Sequence, residues 1–289
     1  MAHIIDGKAI AQSIKEGLKE KIKSFPTKPT LAVLLVGNDP ASEIYVNFKE
    51  KACKEVGITS HVYHYKDTLD FGAFLEKIAA LNADPSIHGI LLQLPLPAHF
   101  DSFSAIHAIH SMKDADGLHG LNLGWLMHKH PYTIPCTPQG CMRLIQEVAS
   151  DLSGMHAVVI GRSILVGQPM ATLLTHAHAT VTLAHSKTKN LKEICQTADI
   201  LIAAAGVPHL VTKDHVKKSA IVIDVGIHRK SDGGLCGDVA FDEVIDHVYA
   251  ITPVPGGVGP MTVACLLKNT VYCYEVLQGM RRPHTLWAN

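Results

Sequence analysis

A tyrosine and a lysine lie four residues apart in the segment ASEIYVNFKEKACKEV, at Tyr45 and Lys49. On a helix this spacing places both side chains on one face, one turn from each other. A lysine shielded from water has a lowered pKa and can move protons, and a nearby tyrosine can stack on a ring or position a hydroxyl group. Taken alone, the pair is more often a packed ring beside an exposed amine, so both interpretations stay open.

A glutamine, Gln93, interrupts the apolar run LLQLPLP near the end of a predicted strand. Open α/β sheets bind ligands at the carboxyl ends of their strands, and a buried amide needs a hydrogen-bond partner. That partner could be the ammonium group of Lys49, a polar ring of a substrate or, as readily, the backbone. The turn KDADGLHG then carries Asp114 and Asp116. Turn carboxylates are solvated by default, although one of them would match a heterocycle with an amino group and a ring N–H.

A glycine-containing turn joins a strand to a helix in HAVVIGRSILVGQPMATLL. Gly161 and Gly167 would let the backbone approach a pyrophosphate group, whose charge a helix N-terminus favours. Ser163 occupies the place of the middle glycine of the pattern G-x-G-x-x-G. Spacing alone therefore leaves an ordinary strand-turn-helix as an open alternative to a dinucleotide site.

Two residues near this turn bear on the choice between NADP and NAD. Arg162 lies in the loop and Ser186 follows the next predicted strand, where the adenine ribose normally binds. Both can hold a 2′-phosphate, and no Asp or Glu lies between residues 180 and 192, where a site for NAD usually has one. NADP is therefore favoured over NAD, the alternative being that Arg162 and Lys187 are solvated loop charges.

The segment TPVPGGVGPMT combines three prolines with three glycines. Such a loop is too restricted to be a flexible linker, and its backbone amides can approach a ligand closely. Pro255, Gly256 and Gly257 are its central residues, and we expect the loop between the two halves of the chain.

These residues depend on the elements of an α/β fold, because apolar β-branched runs alternate with segments of helical period. The first half predicts helices over residues 8–24, 42–56 and 71–81, with Ser42 as an N-cap, and strands over 31–37, 59–65 and 89–94. Residues 95–135 are predicted to be irregular, with one short helix near 104–110. The second half predicts a helix with Thr137 as its N-cap, strands over 157–160, 180–184, 200–204, 221–225 and 250–252, and a last helix over 261–278.

Composition excludes several classes of protein. A chain of 289 residues suggests two modest domains sharing a cleft, and 26 basic against 26 acidic residues leave no broad field for nucleic acid or anionic lipid. The apolar runs are too short to span a bilayer, and no secretion signal is apparent. Seven cysteines without a C-x-x-C pair indicate a reducing cytoplasm. The 19 histidines come without a matching ligand set, so no metal site is expected.

In chain order, SEIYVNFK, HGILLQLPLP, KDADG, IPCTPQG, GRSILVGQP, HSKT, VIDVGI, GDV and TPVPGGVGPMT resemble motifs of the methylenetetrahydrofolate dehydrogenase/cyclohydrolase family. The resemblance runs from about Asp6 to Gln278. It implies that Lys49 is the general acid/base, that Tyr45 flanks the folate and that Gln93 orients Lys49. Asp116 would bind the pterin ring, and the loop with Pro255, Gly256 and Gly257 would contact substrate and close the nicotinamide side. The implied cofactor positions are Gly161, Arg162, Ser163, Gly167, Ser186 and Ile227.

The same resemblance implies a two-step activity. The enzyme would oxidise 5,10-methylenetetrahydrofolate with NADP and then hydrolyse the methenyl product to 10-formyltetrahydrofolate, as a homodimer. It further implies a folate-binding catalytic domain over 1–120, a connector over 121–145 and a Rossmann-like NADP-binding domain over 146–260, with a helix over 261–289 returning to the first domain. Gly120 stands where the family commonly has proline, and the tail exceeds the family core.

Three rival interpretations remain. The first is a dehydrogenase without cyclohydrolase activity, which the presence of both Lys49 and Gln93 disfavours. The second is another two-domain NADP oxidoreductase, such as one resembling shikimate dehydrogenase, which lacks the YVNFK and QLPLP motifs. The third is a noncatalytic folate- or nucleotide-binding protein, which the full set of matched groups disfavours.

Overall fold

Residues 2–281 are described by the computed structural model. Unit 1 comprises residues up to Gln12 together with Thr137–Thr262, and unit 2 comprises Ser13–Cys136 together with the described residues from Val263 onward. The boundaries fall inside α1 (Gly7–Lys23), α6 (Cys136–Gln146) and α10 (Val258–Leu277). Each unit is therefore assembled from separate stretches of the chain.

Unit 2 contains a three-stranded parallel sheet in the order β3-β2-β4. Its strands are β2 (Thr30–Val36), β3 (Thr59–Tyr65) and β4 (Gly89–Leu92). The central strand β2, with the sequence TLAVLLV, is buried at every residue because it has a strand on each side and helices on each face. The carboxyl ends of β2 and β4 meet at the pairing of Leu34 with Leu92, just before Gln93.

The alternation of side chains along β2 forms two cores. One face, with Leu31 and Val33, packs against residues of α1 and α10, among them Leu267. The other face, with Leu34, packs against Phe74 of α3 and its neighbours. The helices of unit 2, besides parts of α1 and α10, are α2 (Pro40–Val56), α3 (Phe71–Ala83), α4 (Ser102–Ala108), a 3₁₀ turn (Ser111–Lys113) and α5 (Gly120–Met127).

Unit 1 contains a six-stranded sheet in the order β1-β11-β8-β7-β5-β6, whose pairings are all parallel. Its strands are β1 (His3–Ile4), β5 (His156–Ile160), β6 (Thr180–Ala184), β7 (Ile200–Ala203), β8 (Ile221–Asp224) and β11 (Ala250–Ile251). Unit 1 also contains a small antiparallel pair, β9 (His228–Arg229) and β10 (Leu235–Cys236), the helices α7 (Gly167–His176), α8 (Leu191–Cys195) and α9 (Phe241–Val244), and a 3₁₀ turn (Lys213–His215). Most of α6 and parts of α1 and α10 belong to it as well. β6 and β7 flank β5 on opposite sides, so the strand order reverses there, which is where doubly wound sheets bind dinucleotides.

The predicted α/β class is confirmed, and β3 and β6 have the predicted bounds. Three predicted helix starts are wrong, among them that of α10, which begins at Val258 and not at Met261. Asp39, not Ser42, is the N-cap of α2, because the Asp39 carboxylate accepts the backbone N–H of Ser42, and α6 begins at Cys136, before Thr137. The stretch 95–135 also holds one helix more than predicted, α5, whose apolar sequence GLNLGWLM lacks a clear helical stripe.

The predicted functional domain limits at residues 120, 145 and 260 stay a prediction. Residues 282–289, which include most of the tail, lie outside the described residues. Among the described helices, none combines the length and the apolar character that crossing a membrane requires.

Candidate active site

Helix α2 sets the direction of Tyr45 and Lys49. Asp39 fixes its start, since the carboxylate accepts hydrogen bonds from the backbone N–H and the hydroxyl of Ser42 at 2.8 and 2.7 Å. Gly57 ends the helix in the left-handed conformation, with a φ of 93°. A helix fixed at both ends carries its side chains with little freedom, and Tyr45 and Lys49 are both partly buried.

Gln93 holds the amine of Lys49. The Nζ of Lys49 donates to Oε1 of Gln93 at 2.8 Å, and Nε2 of Gln93 donates to the carbonyl of Leu94 at 2.7 Å. A carbonyl can only accept, so the amide group of Gln93 must turn its oxygen toward Lys49. The backbone N–H of Gln93 donates to the carbonyl of Leu34, which ties the residue to the sheet. Gln93 is therefore a fixed hydrogen-bond acceptor that orients the amine of Lys49.

Burial and the attraction between Lys49 and Asp116 shift the pKa of each residue in opposite directions. Burial lowers the pKa of Lys49 from its ordinary value, and the carboxylate of Asp116 partly counteracts this. Burial likewise raises the pKa of Asp116, against the attraction of Lys49 and an interaction with the thiol of Cys136. The pKa of Cys136 is itself raised well above its ordinary value by burial, so the thiol stays protonated. A buried amine, a carboxylate and a neutral thiol thus lie together in unit 2.

Asp114 shapes the turn that carries Asp116. The default expectation of a solvated carboxylate is wrong for Asp114, which is only 3% exposed. It accepts hydrogen bonds from the backbone N–H groups of Gly117 and His119 at 3.0 and 2.8 Å and from Nδ2 of Asn122 at 2.8 Å. Burial raises the pKa of Asp114 to about 6. Asp114 is therefore turned into the protein, where it organises the backbone around its neighbour.

The turn between β5 and α7 leaves no room for a side chain at either of its two glycines. Gly161 has a φ of +118°, and a Cβ there would overlap the carbonyl group of Ala204. A Cβ on Gly167 would overlap the carbonyl group of Gly161. Ser163 organises the turn, because its hydroxyl accepts the backbone N–H of Val166 at 3.1 Å, one residue before α7 begins. The backbone between β5 and α7 can therefore approach a ligand as closely as a pyrophosphate requires.

Arg162 and Ser186 occupy matching positions on neighbouring strands. Ile160 pairs with Ala184 in the parallel ladder of β5 and β6, and each of the two residues lies two positions beyond that pair. Both are exposed, and the backbone after β6 is folded by a hydrogen bond from His185 N to the Thr188 hydroxyl at 2.8 Å. A guanidinium and a hydroxyl at one edge of the sheet fit the 2′-phosphate of NADP.

Two buried carboxylates that the sequence did not single out brace this edge of unit 1. Asp238 accepts the backbone N–H groups of Ala205 and Gly206 at 2.6 and 2.9 Å, and its other oxygen lies 2.7 Å from Nε2 of His228. Asp224 accepts the N–H groups of Gly226, Asp238 and Val239 at 2.9 to 3.0 Å. The motifs VIDVGI and GDV carried the signal, since each places an Asp within two residues of a glycine that has no space for a Cβ. The exposed Ile227 follows directly after Gly226.

The proline- and glycine-rich loop also belongs to unit 1. Gly256 has a φ of +112°, and a Cβ on Gly257 would lie 2.7 Å from the carbonyl oxygen of Pro253. The N–H of Gly257 donates to that carbonyl at 2.8 Å. Pro255 follows a cis peptide bond after Val254. The loop is therefore ordered and tight, as predicted from its composition.

The predicted site residues divide between the two units. Unit 2 holds Tyr45, Lys49, Gln93 and Asp116. Unit 1 holds Gly161, Arg162, Ser163, Gly167, Ser186, Ile227, Pro255, Gly256 and Gly257. Within unit 2, Lys49 is brought to Gln93 and Asp116, and within unit 1 the two glycines of the turn are brought together. Their roles in binding and catalysis stay a prediction.

Comparison with known proteins identifies the family. A family model described as tetrahydrofolate dehydrogenase/cyclohydrolase, catalytic domain, matches residues 5–116, and its NAD(P)-binding domain matches residues 135–278. The bifunctional protein FolD of Dechloromonas aromatica is 51% identical over 282 residues, which cover 96% of this chain and 99% of that protein.

Two solved structures are similar over nearly the whole chain. The bifunctional FolD methylenetetrahydrofolate dehydrogenase/cyclohydrolase of Campylobacter jejuni is 47% identical with a TM-score of 0.93, covering 97% of this chain and 100% of that one. The methylenetetrahydrofolate dehydrogenase-cyclohydrolase of Trypanosoma brucei, complexed with NADP cofactor and an inhibitor, is 36% identical with a TM-score of 0.92, covering 97% and 99%. With both of its domains matched and relatives this similar along its length, the chain belongs to the tetrahydrofolate dehydrogenase/cyclohydrolase family.

Proposed function

We propose that this protein oxidises 5,10-methylenetetrahydrofolate to the 5,10-methenyl form with NADP and then hydrolyses that product to 10-formyltetrahydrofolate. The observation that carries the proposal is the 2.8 Å hydrogen bond between Nζ of Lys49 and Oε1 of Gln93, in a chain 51% identical to a bifunctional relative. A dehydrogenase alone needs no buried proton-transfer group, whereas hydrolysis does. The pair therefore favours the bifunctional enzyme over the dehydrogenase.

Lys49 is the proposed acid and base of the hydrolysis. Water adds to the cationic carbon of the methenyl bridge, and the amine of Lys49 accepts a proton from that water. Because the product keeps the carbon on N10, the bond to N5 breaks, and the ammonium of Lys49 gives N5 a proton while the hydroxyl proton leaves to solvent. One proton is released overall. The lowered pKa of Lys49 supports this role, because an amine must be partly unprotonated near neutral pH to act as a base.

The other residues of unit 2 would orient the folate. Asp116 is the proposed partner of the amino group and ring N–H of the pterin, and Tyr45 would pack beside it. Burial raises the pKa of Tyr45, so its hydroxyl stays protonated and can donate a hydrogen bond. Gln93 keeps Lys49 pointed at the reacting carbon. Orientation of this kind lowers the entropic cost of bringing the reacting groups together.

Unit 1 would hold NADP. The backbone between Gly161 and Gly167 would receive the pyrophosphate, and Arg162 with Ser186 would bind the 2′-phosphate. Ile227 and the loop of Pro255, Gly256 and Gly257 would line the nicotinamide side. The close approach of this backbone, which no side chain obstructs, supports the fit. NADP bound there would supply the acceptor for the hydride of the methylene bridge.

We further propose a homodimer that works in a reducing cytoplasm. The seven cysteines are all buried and form no disulfide bonds, which suits a compartment without disulfide formation. Light scattering on the purified protein measures the mass directly. A mass of one chain at assay concentration would contradict the dimer.

Absorbance on mixing the protein with 5,10-methylenetetrahydrofolate and NADP tests the function. We expect reduction of NADP with little accumulation of the methenyl product, and faster hydrolysis of added methenyltetrahydrofolate than in buffer. Reduction with full accumulation of the methenyl product would instead indicate a dehydrogenase alone. No reduction with NADP or NAD would contradict the dehydrogenase proposal.

A further inference from the structure

Three histidines surround the turn that carries Asp114 and Asp116. Nε2 of His107, in α4, accepts the backbone N–H of Gly120 at 3.2 Å. Nδ1 of His119, the N-cap of α5, accepts the N–H of Leu121 at 3.1 Å, and Nδ1 of His110 accepts the N–H of Met112 at 3.2 Å. The rings of His107 and His119 lie 5.0 Å apart. The first turn of α5 is therefore held by imidazole nitrogens where a carboxylate or hydroxyl group usually caps a helix.

The geometry fixes the protonation state of these rings. Nδ1 of His107 lies 2.8 Å from the carbonyl of Phe103, which can only accept, so this nitrogen carries the proton. Nε2 of His107 faces a backbone N–H, which can only donate, so it must be unprotonated. The same reasoning makes Nδ1 of His119 unprotonated. A protonated imidazole has no free acceptor, and two protonated rings 5.0 Å apart would repel each other.

The start of α5 in turn organises Asp114. The N–H of His119 and Nδ2 of Asn122 both donate to the carboxylate of Asp114, each at 2.8 Å. The other oxygen of Asp114 accepts the N–H of Gly117 at 3.0 Å, which closes the turn around Asp116. A displacement of α5 would therefore also move the turn that carries Asp116, because the carboxylate of Asp114 is bonded to both.

We propose that His107 and His119 are positioning residues of the folate site, which hold the Asp116 turn only as neutral imidazoles, so that acid weakens folate binding. The inference rests on the proposed function, because it takes Asp116 as the folate partner. Protonation of either ring removes an acceptor from the first turn of α5. Asp116 is then presented less firmly to the pterin, while Lys49 and Gln93 keep their hydrogen bond.

Charged groups on the surrounding elements bear on this titration. Asp101, which caps α4, interacts with His107. Burial lowers the pKa of His119 below its ordinary 6.5, and the neighbouring imidazoles of His107 and His110 lower it further. Lys113 donates to backbone carbonyls at the end of α3, and burial raises the pKa of Asp114, which accepts the backbone N–H of His119, to about 6. The acid effect of Asp114 overlaps with that of the histidines, so the test must separate them.

The test compares the KM for methenyltetrahydrofolate between about pH 5.5 and about pH 8, the range in which histidines titrate. We expect the KM of the wild type to rise about three- to tenfold toward acid, as the net loss of one or two hydrogen bonds predicts. His119→Asn keeps a capping acceptor that does not titrate, so its KM should match the wild type at the upper pH and rise less toward acid. His107→Phe keeps the ring but no acceptor, so its KM should be raised at every pH. His61→Gln, at an exposed histidine on β3, should keep the wild-type profile.

A second measurement does not depend on activity. Hydrogen exchange of the backbone across residues 117–126, corrected for its intrinsic pH dependence, should accelerate toward acid in the wild type and not in His119→Asn. An unchanged KM profile and exchange in both histidine variants would overturn the proposal and assign the acid effect to Asp114. A protein that exchanges as expected but hydrolyses no methenyltetrahydrofolate would contradict the proposed function and leave the histidine contacts standing.

Discussion

At the scale of residues, the state of Lys49 is set by two opposing effects. Burial favours the neutral amine, and the carboxylate of Asp116 favours the ammonium ion. Burial is the larger effect, so the pKa falls below that of a solvated lysine. Gln93 adds an acceptor that fixes the direction of the amine without adding charge.

Lys49→Met removes the titrating amine and keeps an apolar chain of similar length. We expect methenyl hydrolysis to fall by about 100-fold or more, the size of a general acid/base contribution. The control is Lys51→Met, at an exposed lysine on the same helix, which should hydrolyse at the wild-type rate. Full hydrolysis by Lys49→Met would contradict the assignment.

Asp116→Asn should shift the pH profile of hydrolysis toward acid. The carboxylate raises the pKa of Lys49, so its removal lowers that pKa further, and the neutral base appears at lower pH. The kcat of the variant should therefore begin to rise at a lower pH than in the wild type, while its KM increases. A shift of the kcat profile in the alkaline direction would refute the proposed coupling of the two groups.

Arg162→Ala should weaken NADP selectively. A charge-assisted hydrogen bond to phosphate corresponds to about a 10- to 100-fold change in affinity. We expect the KM for NADP to rise by that factor and the KM for NAD to change little. Arg143→Ala is the control, because that exposed arginine of α6 pairs with Glu147, just beyond the end of the helix. Equal losses for both cofactors would show that Arg162 does not bind the 2′-phosphate.

At the scale of elements, the two proposed sites are built differently, one from side chains and the other from backbone. In unit 2, a helix capped by Asp39 and a strand end carry the side chains, so the side-chain chemistry is held on rigid elements. In unit 1, the backbone itself would approach the proposed ligand, and the sequence supplies glycine where the β5 to α7 turn passes the end of β7. Asp224 and Asp238 brace the neighbouring loops by accepting backbone N–H groups.

Gly161→Ala should remove the dehydrogenase activity. The new Cβ would overlap the carbonyl of Ala204, and the residue needs a φ of +118°. Methenyl hydrolysis should remain, because its proposed residues lie in unit 2. Gly17→Ala, in α1 where nothing lies near the new Cβ, should retain both activities and add about 1 kcal/mol of stability. Normal NADP reduction by Gly161→Ala would show that the turn can relax.

At the scale of the whole molecule, each unit is complete only when segments far apart in the sequence pack together. Residues of α1 and α10 lie in the same core as Leu31 and Val33 of β2. Lys21 on α1 also pairs with Glu275 on α10 at 2.6 Å. The end of α10 is therefore part of the core of unit 2.

Leu267→Ala tests that contribution. Leu267 is fully buried on α10, and its truncation should lower the free energy of unfolding by about 2–5 kcal/mol. Leu277→Ala, on the same helix at 37% exposure, should cost much less. Urea unfolding followed by circular dichroism gives both values. Equal, small losses would mean that α10 does not stabilise the core.

The sequence by itself determined the α/β class and, through motifs that resemble those of a known family in chain order, the family. The site residues and the preference for NADP are predictions that the sequence supports. The α/β class rests on strands such as β3 and β6, and the predicted NADP site rests on the glycine spacing and the lack of an acidic residue after β6. The four-residue spacing of Tyr45 and Lys49 likewise needed only a helix.

The tertiary structure decided what depends on the path of the chain. Lys49 and Gln93 are 44 residues apart, and only the packing of α2 against the sheet brings them within hydrogen-bond distance. The same holds for the burial of Asp114 and for the bracing by Asp224 and Asp238. Burial and partners are set by distant residues, so the same Asp beside a glycine can be a solvated turn residue or an internal support. The capping histidines of α5 belong to this second group, because His107 reaches Gly120 only after α4 and α5 have folded together.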